Sequence, residues 1–179
     1  MDADAMAEAR APRHAGRLIL LHWVIAALVF CIWPLGLMIG FVRDDVKLGF
    51  YLLHESLGFL VLWLMLLRIG ARLTSPSPVP FGTTPMRQAA GLVHCLLYLL
   101  LVVMPVSGFL ATNAHGFPLL WFGLVPVWSP IGKMPDIAGT LSTVHTVSAW
   151  MLLSLIGLHL GAVIYHQAIR RDGILQRMS

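Results

Sequence analysis

The sequence predicts an all-α integral membrane protein, a bundle of four helices, and three observations carry that prediction. Of 179 residues, 58% are hydrophobic and only 11% charged, against roughly 45–50% apolar and 25% charged in a soluble domain. The charges gather at the ends of long apolar blocks. Within those blocks apolarity is continuous, which excludes the alternating pattern of an outer-membrane barrel. The same composition excludes an ordinary water-soluble enzyme, a disordered tail and a secreted disulfide scaffold. The twelve Lys and Arg give a net charge of +4, but they never cluster into a basic patch, so no nucleic-acid partner is expected.

The helices follow from the spacing of charge. Leu18–Val42 holds no Asp, Glu, Lys or Arg, and Leu48–Leu67 holds one acid, Glu55. Gln88–Gly132 is free of formal charge over 45 residues, too long for one span and broken by Pro118, Pro126 and Pro130. Ile137–Ile169 is again uncharged apart from three histidines. A hydrocarbon core of about 30 Å takes about 20 residues of helix. Four helices are therefore expected near 17–41, 49–71, 87–111 and 142–168, within one domain over 1–179. The first apolar run is too long for a cleavable signal, and no small-residue cleavage site follows it. Cys31 and Cys95 lie inside apolar runs and form no CxxC or CxxCH motif.

Two connections are not expected to be helical. Thr74–Pro85, with four prolines, reads as an extended connector. Thr112–Asp136, with four prolines, Trp121 and Trp128, reads as a loop at the outer interface. Arg10, Arg13, Arg17, Arg68, Arg72, Arg87, Arg170, Arg171 and Arg177 fall on one side, and Arg43, Lys47 and Lys133 on the other. Nine against three is expected to place both termini on the cytoplasmic side of the membrane. Those arginines read first as anchors of that orientation. Pro34 and Pro105 are expected to bend the first and third helices. Gly58, Gly108, Gly157 and Gly161 are expected to allow close helix approach, and Glu55 reads as a solvated residue near the outer surface.

Eight histidines carry the chemistry. Imidazole within a bilayer is costly and marks a functional candidate. His14 and His115 read as surface residues. His22 lies near the inner end of the first helix and His54 near the outer end of the second. His145 and His159 are 14 residues apart on the fourth helix, about 21 Å in depth and within about 40° of one face. One helix thus offers an imidazole at each depth, with His54 a partner at the outer level and His22 at the inner. Two stacked bis-histidine sites suit iron porphyrin, which takes two axial imidazoles and fits between helices. Zinc wants four converging ligands, and the acids it would use are nearly absent from the spans. Spacing alone leaves the inner ligand open, because His166 shares the face of His159 and His94 lies at a similar depth. His94 equally suits a bond to a haem propionate.

The run RLILLHWVIAALVF around His22 and YLLHESLGFLVLWLMLLRIGARLTSPSPVP around His54 resemble the first two helices of the bacterial cytochrome b561 family. GLVHCLLYLLLVVMPVSGF and STVHTVSAWMLLSLIGLHLGAVIYHQAIRRDGILQRM resemble its third and fourth. The likeness runs from Arg17 to Met178 and is greatest to the small four-helix members, superoxide oxidases among them. It implies two haem b, with His22 and His159 on the inner iron and His54 and His145 on the outer, and so favours His159 over His166. It also implies electron exchange with ubiquinone.

The expected activity is that of an oxidoreductase in the lipid bilayer. It would pass single electrons between a periplasmic donor, superoxide being oxidised to oxygen, and ubiquinone. With both axial positions filled, transfer is expected at a haem edge and not by oxygen binding to iron. Arg43, Lys47 and Lys133 would attract the anion, offset by Asp44, Asp45 and Asp136. Glu55 and His115 are alternative proton relays, and no catalytic residue is singled out. The competing expectation is a cytochrome b anchor and electron-transfer subunit for a hydrogenase or other dehydrogenase. A transporter is disfavoured by the absence of interrupted helices.

Overall fold

The computed structural model describes residues 15–75, 83–171 and 173. His14, Arg10, Arg13, Arg177 and most of the proline-rich connector lie outside the described residues. Four long helices run through the rest: α1 (Gly16–Met38), α2 (Asp44–Leu73), α3 (Thr84–His115) and α4 (Pro135–Tyr165). A single π-helical turn, His166–Arg170, continues α4. All four are long and apolar enough to cross a membrane.

Their ends depart from the expected ones for local reasons. Helix α2 starts at Asp44 and not near 49, because Asp44 and Asp45 suit the positive end of the helix dipole. Helix α4 starts at Pro135 and not near 142, with Pro135 and Asp136 in a first turn that favours both. Helix α3 continues past 111 because Thr112 and Asn113 bond back to the carbonyls of Gly108 and Phe109 (3.0 and 2.7 Å). It stops where Gly116 adopts the left-handed conformation, φ 94°. The charge-free blocks therefore marked the apolar part of each helix and missed its polar turns. With 30 and 32 residues, α2 and α3 reach about 45–48 Å and protrude beyond a hydrocarbon core of about 30 Å.

Helix α3 packs most extensively on α4, and α1–α2 and α2–α3 form the other close pairs. Neither α1 nor α2 lays its backbone closely along α4. An apolar cluster fills the middle of the bundle: Ile25, Val29 and Ile32 of α1, Val61 and Met65 of α2, Leu97 and Leu100 of α3, and Leu152 of α4. The outer faces carry exposed Leu20, Phe30, Leu67 and Leu99, as lipid contact requires. At the inner end Arg17 donates to Thr74 and Ser75. Arg68, partly buried, donates to the Leu18 carbonyl and lies 5.7 Å over the Tyr98 ring. These arginines tie helix ends together, a structural task beyond orientation.

The outer loop is more ordered than expected. Strands β1 (Leu120–Trp121) and β2 (Val125–Pro126) pair antiparallel. Their turn holds Phe122 at φ 50° and Gly123 at φ 73°. A bulky residue pays for a left-handed backbone, and here Ser56 offsets that cost. The Phe122 N–H donates to the buried Ser56 hydroxyl at 2.8 Å, and the Trp121 indole donates to the Ser56 carbonyl at 3.1 Å. Trp121 is thus docked on α2, whereas Trp128, 81% exposed, remains at the surface.

Ser56→Ala should leave the Phe122 N–H without its partner, at a cost of about 1–3 kcal/mol. The expected result is a lower thermal midpoint in detergent and faster proteolysis within 119–127. An unchanged midpoint and cleavage pattern would show that the hairpin is held by something else.

Candidate functional site

Each outer histidine is positioned by a carbonyl and a glycine on a neighbouring helix. His54 of α2 places Nδ1 3.1 Å from the Ile32 carbonyl of α1, and His145 of α4 places Nδ1 2.8 Å from the Met104 carbonyl of α3. A carbonyl only accepts, so Nδ1 carries the hydrogen in both rings, and Nε2 is left with its lone pair. In a helix the side chain at i+4 lies over the carbonyl of residue i. Here those positions are Gly36, four after Ile32, and Gly108, four after Met104. A Cβ on Gly36 would lie 2.5 Å from His54 Cε1, and one on Gly108 would lie 2.7 Å from His145 Nδ1. The missing side chains are what admit the imidazoles. Pro34 and Pro105 fall inside these two segments.

The rings so positioned face one another. His54 and His145 have centroids 6.1 Å apart and planes 86° apart. At the inner depth His22 of α1 and His159 of α4 are 6.4 Å apart, planes at 71°. Two imidazoles on opposite sides of one metal ion, with bonds of about 2.0 Å, have centroids about 6.3 Å apart. Both separations match that geometry, and both pairs cross the seam where α4 stands off from α1 and α2. Trp33 and Trp150 bridge the same two sides as an edge contact of 5.3 Å. Among the described residues no group of three or more His, Cys, Asp or Glu is placed to hold a metal ion.

The remaining candidates sort by place. His94 of α3 lies 5.3 Å from His159. His166 lies in the π-helical turn against Tyr165, and His115 pairs with Ser142 at the outer surface. Glu55 is not simply solvated: it is partly buried, and its carboxyl group lies 3.2 Å from the Thr112 hydroxyl, whose one hydrogen is shared between Glu55 and the Gly108 carbonyl. Both ion pairs among the described residues, Arg43–Asp45 and Lys47–Asp44, are at the outer end. A Cβ on Gly58, Gly157 or Gly161 would meet nothing within 4 Å. Of the glycines expected to allow close approach, only Gly108 does so, and it admits a ring instead of a helix.

Sequence reading missed Gly36 and the two carbonyls. The signal was present as a proline and, two or three positions on, a glycine in IWPLG and MPVSG.

Four membrane-length helices with imidazoles facing across a seam define a class, the integral membrane bundle that holds a prosthetic group between its helices. Sequence comparison makes the class specific. The profile of the prokaryotic cytochrome b561 family matches residues 13–179, and the chain belongs to that family. It is 34% identical over 167 residues to cytochrome b561 homolog 2 of Escherichia coli K12, covering 88% of this chain and 86% of that one. It is 30% identical over 161 residues to a probable superoxide oxidase of Yersinia pestis, covering 88% and 90%. It is 34% identical over 167 residues to cytochrome b562 of Cereibacter sphaeroides, covering 89% and 90%. The protein is thus a membrane electron-transfer protein, and its family implies haem b. The donors present suit that group: paired imidazoles, the outer two with the hydrogen on Nδ1, at the spacing that two ligands of one metal ion would have.

Gly36→Ala and Gly108→Ala should each displace an outer imidazole and lower the haem b content of the purified protein, read as pyridine haemochrome per chain. Gly58→Ala, with open space around it, should leave the content unchanged. Equal haem in all three variants would contradict the role given to the two glycines.

Proposed function

We propose that the protein holds two haem b and transfers electrons between a periplasmic donor, superoxide, and ubiquinone. The observation that carries this reading is the pair of facing imidazole sets at 6.1 and 6.4 Å on opposite sides of one apolar layer. His54 and His145 would hold the outer haem, and His22 and His159 the inner one. Haem b supplies a one-electron iron couple at each site. Two superoxide anions yield two oxygen molecules, and ubiquinone takes up the two electrons with two protons. The relative named as a probable superoxide oxidase supports the choice of donor.

The chain's own residues serve this in distinct ways. The Ile32 and Met104 carbonyls hold the outer imidazoles in one tautomer, which keeps Nε2 toward the seam. Val61, Met65 and Leu152, nearly or fully buried, keep water out of the layer between the sites. Lys133 belongs to neither ion pair among the described residues, so it is the cation best placed to attract an anion. Glu55 and the Thr112 hydroxyl form a proton-bearing pair within the outer half of the bundle. Arg17 bonds Ser75 beyond the end of α2 and Arg170 bonds Met86 at the start of α3, and the basic residues gathered at this end support an inner-membrane orientation with that end cytoplasmic.

His54→Ala or His145→Ala should remove one haem and abolish rapid reduction of the remaining chromophore by superoxide in stopped-flow absorbance. His166→Ala should keep both haems and the rapid phase. If the wild-type protein is not reduced by superoxide but is reduced by a co-purifying dehydrogenase, the anchor-subunit alternative replaces this reading.

Topology reporters placed after Arg171 should read cytoplasmic, and reporters near Gly132 periplasmic. The reverse pattern would put the donor in the cytoplasm.

A further inference from the structure

The two α4 histidines are supported differently, and the difference points to a residue with no assigned role. His145 has its ring hydrogen on the Met104 carbonyl of α3. His159 has no carbonyl partner among the described residues. Its ring neighbours are two imidazoles, His22 at 6.4 Å and His94 at 5.3 Å. The second distance is too short for a metal ion between the rings, which needs about 6.3 Å. No hydrogen bond joins the two rings as they stand; their planes are 72° apart, no ligand fits between them, and a rotation of either ring brings facing nitrogens to about 3 Å. Helix α3 also packs closely on α4 along its length. One helix therefore stands behind both α4 histidines, with a carbonyl at the outer level and an imidazole at the inner.

We propose that His94 is the positioning residue of the inner site, accepting the ring hydrogen of His159 when that site is filled and so turning the other ring nitrogen of His159 toward His22. This rests on the reading of His22 and His159 as ligands of the inner haem. A hydrogen-bond acceptor on the far nitrogen raises the electron donation of a ligating imidazole. Removing that acceptor makes the bound iron easier to reduce. The charged groups of this end among the described residues are Arg17, Arg68, Arg72, Arg87, Arg170 and Arg171. Arg68 is tied to the Leu18 carbonyl and Tyr98, and Arg17 to Thr74 and Ser75.

The test uses the full chain in detergent and two substitutions. His94→Phe keeps a ring but removes the acceptor, and His94→Gln restores an acceptor of similar reach. Potentiometric reduction followed by optical and low-spin EPR spectra resolves the two haems. A His145→Ala background, with the outer haem removed, identifies the inner one. His94→Phe is expected to keep both haems, to favour reduction of the inner one by on the order of tenfold, about 59 mV for a one-electron couple, and to move its EPR signal. The outer haem should be unaffected, and His94→Gln should return the inner signal toward wild type. His94→Leu, smaller and also without an acceptor, repeats the test if the phenyl ring does not fit. Two haems with an unmoved inner step and EPR signal overturn this inference alone. Loss of a haem in every His94 variant, with both retained in His22→Ala, would make His94 a ligand and overturn it too. A wild-type count other than two haems overturns the underlying reading and this inference with it.

Discussion

An imidazole inside a bilayer needs a hydrogen-bond acceptor, and most of the acceptors there are helix carbonyls already covered by the side chain one turn further on. The outer half of this bundle depends on how that constraint is met. Gly36 and Gly108 each uncover a carbonyl, and a histidine from another helix enters the notch. Three consequences follow from the same two contacts. The hydrogen is assigned to Nδ1, the lone pair of Nε2 is free, and the two rings face one another at the separation of a shared metal ion. The bond is also directional, so a shift of one helix relative to another would break the pairing. Burial of polar groups in membranes is tolerated when they are satisfied in this way.

That constraint also explains the asymmetry of the packing. Helices α3 and α4 pack closely, while α1 and α2 stand off from α4 and meet it through ring pairs. A bundle sealed on every side by leucine would have no place for a large planar group. This one keeps its tight apolar cluster in the middle and places its imidazoles toward the two ends. The apolar layer excludes water between the two histidine levels and so offers protons no path there. Such an arrangement suits a protein that moves electrons across part of a membrane while protons are handled at the surfaces.

Much of the fold was legible because it rests on solvent and not on detailed packing. Long charge-free runs demand helices in hydrocarbon, and the helix count follows. The polar turns were not legible by that rule: Asp44–Lys47 and Thr112–His115 are helical because of dipole and back-bonding contacts, which a charge-free window ignores. The histidine depths followed from helical rise, since His145 and His159 are on one helix. The choice between His22 and His94 at the inner level did not, because it depends on how far α1 and α3 lie from α4. Gly36 escaped notice for a similar reason: it matters only because α2 brings His54 against it. The docked hairpin was hidden as well, since a left-handed Phe122 runs against its own preference and depends on Ser56 far along the chain.

The proposed function requires two prosthetic groups per chain, one between each pair of facing histidines. Reduced-minus-oxidised absorption of the purified wild-type protein, with pyridine haemochrome quantified against protein mass, measures that number directly. About two haem b per chain, with low-spin bands at every accessible potential, are expected. One haem per chain, none, or a high-spin component in the intact protein would contradict that function.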